Sequence, residues 1–125
     1  MKDLEVKQNR LGQQGLFAGR NFTNNETVLR LKGEVTRELT KYSIEVGDDE
    51  HITDEMGQYL NHSCDPNTII ARDEREVRAK RDIVSGEELG FDYNANETNM
   101  AAPFECQCGA PNCQKVIRGK SPKDQ

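Results

Sequence analysis

Asn61-His62-Ser63-Cys64-Asp65-Pro66-Asn67 is the stretch on which the fold turns. Asn, Ser, Asp and Pro favour turns, so this heptapeptide is a poor strand and a poor helix. It follows a short apolar approach, Met56 to Leu60. A small chain that orders such a segment must answer its polar atoms with other groups. Two later stretches offer them: Glu87-Glu88-Leu89-Gly90-Phe91-Asp92-Tyr93 and Cys106-Gln107-Cys108-Gly109-Ala110-Pro111-Asn112-Cys113. The three read as one site, the first two forming a pocket and the third a metal clamp.

The cysteines carry the metal reading. The chain has four, and the last three follow a C-x-C-x4-C pattern. A reducing compartment disfavours disulfides, and thiols separated by one residue rarely pair with each other. Structural zinc takes four ligands, which requires Cys64 to join Cys106, Cys108 and Cys113. Uncoordinated thiols or two disulfides are the competing arrangements.

Composition bounds the rest. At 125 residues the chain supports one domain with a modest core. Hydrophobic residues are 34% and charged ones 31%, so that core is thin and needs further support. The net charge of −5 argues against direct nucleic-acid binding, which needs a basic face. It is compatible with a basic peptide partner, although ordinary solubility explains it better. No run of 18 apolar residues exists, so no membrane span or membrane partner is expected. Met1 to Glu5 carries acids where a signal peptide is apolar, so the expected location is intracellular: cytoplasmic, or nuclear in a eukaryote.

Short strands and turns organise the chain. Leu4 to Lys7 predicts an edge strand, Gly12 to Gly19 a turn delivering a second, and Thr27 to Lys32 a third that breaks at Gly33. Tyr42 to Val46 alternates and ends in a Gly47-Asp48-Asp49-Glu50 turn. Asp54 to Leu60 predicts one helical turn. Asn67 to Arg72 and Glu76 to Ala79 predict a hairpin across Asp73-Glu74-Arg75. Glu87 to Tyr93 reads as a strand, Asn94 to Pro103 as polar loop. The sum is a mostly β domain without long helices.

Together these residues resemble the SET-domain protein lysine methyltransferases from about Leu11 to Cys113. Gly15-Leu16-Phe17-Ala18 is similar to that family's N-terminal cofactor-binding turn, and Gly33-Glu34-Val35 to its following strand. The heptapeptide matches its central motif at every defining position. Gly86 to Tyr93 resembles its second signature, and Cys106 to Cys113 its C-terminal, post-SET zinc-binding segment. The resemblance implies small curved sheets with a C-terminal pseudoknot and a four-cysteine zinc site. It implies a SET domain over 1–100 (core about 11–94), a post-SET segment over 101–119 and a disordered tail over 120–125.

The activity implied is S-adenosylmethionine-dependent protein-lysine N-methylation of a basic protein or histone-like tail. A catalytically weak peptide- or cofactor-binding module is the alternative. The resemblance makes Tyr93 the catalytic tyrosine, Tyr42 a channel-lining tyrosine and Phe91 the position that sets the number of methyls, with di- or trimethylation expected. Implied cofactor contacts are Gly15, Leu16, Phe17, Asn61, His62, Tyr93 and Phe104. Structural Zn2+ falls to Cys64, Cys106, Cys108 and Cys113. Gln13 replaces a glycine common in the family, and Gln58 an arginine. The segment between Tyr42 and Asn61 is short for a peptide-groove wall, so a partner chain or a homo-oligomer is expected to complete it. His51 lies outside every motif and is expected at the surface.

Overall fold

The computed structural model describes residues 3–106 and 110–119; Cys108 and the tail 120–125 lie outside the described residues. Strands β1 (Leu4–Gln8) and β2 (Gln14–Ala18) form a hairpin, which extends through β10 (Glu88–Phe91) to β7 (Asn61–His62). Leu16 faces Leu89 in this sheet, and both are fully buried. Each such leucine stabilises the fold by about 1.5–3 kcal/mol. Strand β1 carries Glu5 and Lys7 along the open edge, charges that oppose further strand addition.

A second sheet orders β3 (Thr27–Arg30), β9 (Glu76–Ala79) and β8 (Thr68–Ala71). Its hairpin turns at Arg75, in the left-handed region at φ 55°, with Arg75 N–H donating to Arg72 C=O at 3.2 Å. The third sheet orders β4 (Val35–Thr36), β6 (Glu50–Ile52) and β5 (Ile44–Gly47). Gly33 ends the approach to β4 at φ 141°, where a Cβ would lie 2.7 Å from Thr53 O. Leu16, Phe22, Ile52, Val77, Ile83 and Leu89 lie at the centre of the core that these sheets enclose.

A 3-10 turn at Gly57–Tyr59 delivers the heptapeptide, in the place where one helical turn is expected. The architecture is the expected one of small sheets. Strand β7 runs parallel to β10, with Asn61 beside Gly90 and His62 beside Phe91, so the two motifs lie side by side.

Two local expectations are corrected. Strand β10 stops at Phe91, because Asp92 caps a helical turn, α1 (Tyr93–Asn96), inside the stretch read as strand and polar loop. His51 is 5% exposed, not on the surface, because residues after the Asp48-Asp49 turn continue as β6 between two other strands. The cysteine segment is flanked by a pairing of β11 (Phe104–Glu105) with β12 (Val116–Ile117), too short to carry a sequence period.

Candidate active site

The heptapeptide is held by β10. Phe91 C=O accepts the Ser63 N–H at 3.0 Å. Asn67, 5% exposed, engages β10 with both ends of its amide: Nδ2 donates to Glu88 O at 3.0 Å, and Oδ1 accepts from Gly90 N–H at 3.1 Å. Thr68 Oγ1 donates to Gly90 O at 2.7 Å. A carboxamide offers the same donor and acceptor as a peptide unit, so Asn67 substitutes for a strand neighbour. At this crossing a Cβ on residue 90 would meet Asn61 O at 2.8 Å, which accounts for Gly90.

Tyr93 opens α1, and its hydroxyl donates to the Leu60 carbonyl. Burial first, and then the carboxylates of Glu97 and Glu88, push its phenol far above the ordinary value. The group is therefore an O–H donor at neutral pH and not a base. The Phe91 ring packs 4.8 Å from the Tyr93 ring, tilted by 49°. Phe104, on β11, stands edge-on with its centroid 6.2 Å from both Tyr93 and His62.

A cavity of about 530 Å³ is lined by Leu11, Gln13, Tyr42, Asn61, His62, Tyr93 and Phe104, among others. That size is typical of a small-molecule site. Of the residues expected at the cofactor, Leu16 belongs to the core, and Phe17 carries the Lys7 ammonium 4.7 Å above its ring. Gly15 pairs with Lys7 in the β1–β2 hairpin; Leu11 and Gln13, from the turn before it, supply the cavity wall. Asn61 donates both amide hydrogens, to Gln14 O at 3.0 Å and Glu88 Oε2 at 3.0 Å, which leaves its carbonyl oxygen for a ligand. Glu88 also takes the Asn9 amide at 3.0 Å. The sequence quotes Glu88 and Asn67 within motifs but gives no sign of these bonds.

His62 has a fixed tautomer. Its side chain is 1% exposed, and Nδ1 accepts the Tyr93 N–H at 3.0 Å. A neutral ring then carries its proton on Nε2, which lies 3.2 Å from Cys64 Sγ. Burial lowers the imidazole pKa, against a weaker pull from Asp92, and keeps the ring neutral. His62, Cys64 and Cys106 are spaced to hold a metal, yet coordination through Nε2 would require the proton on Nδ1, where Tyr93 already points a donor. His62 is a donor to sulfur.

Two of the cysteines are spaced as zinc ligands. A tetrahedron with Zn–S bonds of about 2.3 Å has edges of about 3.8 Å. Cys64 Sγ and Cys106 Sγ are 3.8 Å apart. Cys64 Sγ also receives the Gln114 N–H at 3.2 Å, and two donors on one sulfur favour its thiolate. Cys113 stands alongside, its Sγ 3.8 Å from the Cys106 carbonyl.

With this geometry in place, the comparisons agree. A SET domain model matches residues 13–94. The chain belongs to the SET-domain family. The SET chain is 33% identical over 125 residues to the Drosophila melanogaster histone-lysine N-methyltransferase trr, covering 81% of this chain and 5% of that one. It is 30% identical over 146 residues to the H3 lysine-36 specific histone-lysine N-methyltransferase of Candida albicans, covering 97% and 17%. It thus spans less than a fifth of the length of these two curated relatives. A crystal structure of KRYPTONITE in complex with mCHG DNA and SAH superimposes with a TM-score of 0.73 at 24% identity, covering 91% of this chain and 28% of that one. Among the described residues no helix is long and apolar enough to cross a membrane.

Proposed function

We propose that this SET domain is an S-adenosylmethionine-dependent protein-lysine N-methyltransferase acting on a basic protein or histone-like tail. The observation that carries the reading is the Tyr93 hydroxyl, anchored on the Leu60 carbonyl at the meeting of β7 and β10 and flanked by Phe91 and Phe104. The relatives' names support it, as does the KRYPTONITE fold crystallised with SAH and, in another crystal, with an H3(1-15) peptide.

Bound S-adenosylmethionine supplies an electrophilic methyl on a sulfonium. The 530 Å³ cavity, with the Asn61 carbonyl and the Phe104 ring on its walls, suits such a ligand. Tyr93 fixes the reacting end: its oxygen and the Leu60 carbonyl are acceptors positioned to orient an amine. Phe91, which lacks a hydroxyl, leaves room for a methylated nitrogen to turn. Phe91 and Phe104 wall the reacting end, and alignment in a channel closed over it would be worth about 7–11 kcal/mol. Cys64, Cys106, Cys108 and Cys113 would hold zinc with no open position, a structural role tying the post-SET segment to the site.

Tyr42 is 53% exposed, a channel wall without an outer neighbour. A partner chain or second copy covering it would complete the substrate groove. One observation favours the catalytically weak module instead, namely that both Asn61 amide hydrogens are already engaged. Calorimetry with S-adenosylmethionine, followed by methyl transfer to a lysine-peptide array and core histones, separates the two. Binding without methylated product identifies the module; product identifies the enzyme.

A further inference from the structure

Glu97 is a carboxylate in an unexpected place. It follows α1, with its N–H donating to Tyr93 C=O at 2.7 Å, and it is 3% exposed. Its Oε2 accepts both the Glu45 N–H at 3.0 Å and the Asn96 amide at 2.6 Å. The residue also lines a small cavity of about 20 Å³ with Ile44, Leu60, Phe91 and Tyr93, room for one water. It therefore shares a cavity with Leu60, Phe91 and Tyr93.

The groups facing Glu97 come from every neighbouring element. From β5, Glu45 is saturated: Thr98 N–H at 2.7 Å, Thr98 Oγ1 at 2.8 Å and Arg72 Nη2 at 2.7 Å all donate to it. Burial works to raise the Glu45 pKa, but these donors outweigh it and hold the carboxyl below its ordinary value. From β6, a ring nitrogen of His51 lies within 4.8 Å of an oxygen of each carboxylate, and the buried His51 Nδ1 has no hydrogen-bond partner. Arg72 follows β8, and its charge is engaged with Glu45. Tyr93 stands on the channel side. Glu45 is thus fixed as an anion, while burial brings Glu97 up to about 7.

We propose that Glu97 is the base that takes the proton of the substrate lysine, directly or through one water in the small cavity. This rests on the methyltransferase reading above. A lysine ammonium, of pKa about 10.4, is neutral only about once in a few thousand at pH 7. It gives one proton to the Glu97 carboxylate, leaving a neutral amine and a neutral acid. The amine lone pair then forms the N–CH3 bond as the S–CH3 bond breaks, and the sulfonium's electron pair returns to a neutral thioether. The methylated ammonium keeps the positive charge, and the proton on Glu97 returns to solvent at product release. Tyr93 cannot do this because it stays protonated, and Glu88 is not among the residues lining the small cavity, as Glu97 is. A base poised near the working pH is the efficient choice.

The test is the pH dependence of kcat and kcat/KM for the wild type and Glu97→Gln, with the zinc-loaded full chain and the best peptide of the array. The carboxamide of the variant keeps an acceptor for the Glu45 N–H. The expected loss is about 100-fold at pH 7, closing toward pH 10 where the free amine supplies itself. A deficit equal at every pH, or none, overturns the base. Should the variant fail to fold, infrared difference spectra of the wild type decide. With the positively charged cofactor analogue sinefungin, the lysine peptide should raise a protonated-carboxyl band that a peptide with methionine at the target position does not; no such band overturns the proposal. A wild type that binds S-adenosylmethionine but methylates nothing overturns the activity itself, and the base with it.

Discussion

The Tyr93 N–H donates to Nδ1 of His62, so the ring that touches the Cys64 sulfur also sets where α1 begins. One imidazole thereby links the Cys64 sulfur to Tyr93. In 15N spectra of the zinc-loaded protein, His62 should carry its proton on Nε2 with Nδ1 bare. A proton on Nδ1 would instead make His62 a ligand.

Asn67→Ala strands the Gly90 N–H and the Glu88 carbonyl between β7 and β2. Each unpaired buried group costs about 1–3 kcal/mol, so chemical denaturation should show a loss of about 2–6 kcal/mol.

Tyr93→Phe removes the bond to the Leu60 carbonyl while preserving ring packing against Phe91. Methyl transfer should fall by about 100-fold or more, whereas the calorimetric affinity for S-adenosylmethionine changes by less than about threefold. Unchanged turnover would remove Tyr93 from its role.

Zinc content measured by mass spectrometry should be one ion per chain. Cys64→Ser should lower the affinity and melt the segment around β11 and β12, because metal binding is coupled to folding. Normal content with an unchanged Tm would sink the four-cysteine site.

Glu97 has its folded pKa raised from an ordinary 4.5 to about 7. The native state therefore holds this proton more tightly than the unfolded chain. Its stabilising contribution is complete below pH 4.5 and is lost as the pH rises to about 7. Stability compared between wild type and Glu97→Gln should diverge in that window, the wild type falling relative to the variant as pH increases.

Much of this is legible in the residues. The motifs around Asn61 and Tyr93 announce the pairing of β7 with β10, because turn-forming polar residues with an apolar approach need a buried partner. The hairpin across Asp73-Glu74-Arg75 follows from alternation alone. What escapes a reading of the sequence are elements whose cause is tertiary. His51 reads as a surface residue because Glu50-His51-Ile52 is only three residues long, and its burial comes from β4 and β5 on either side. Glu97 reads as loop because nothing local shows that Glu45, Asn96 and Arg72 converge there. The site residues carrying motif chemistry are visible, while those supported by distant backbone are not.

Because β10 lies between β2 and β7, the ribosome delivers two strands of the central sheet well before the one that joins them. A nascent chain ending before residue 88 leaves Leu16 without its partner and two strand edges open to foreign pairing. Such a product has no working half until β10 has been translated.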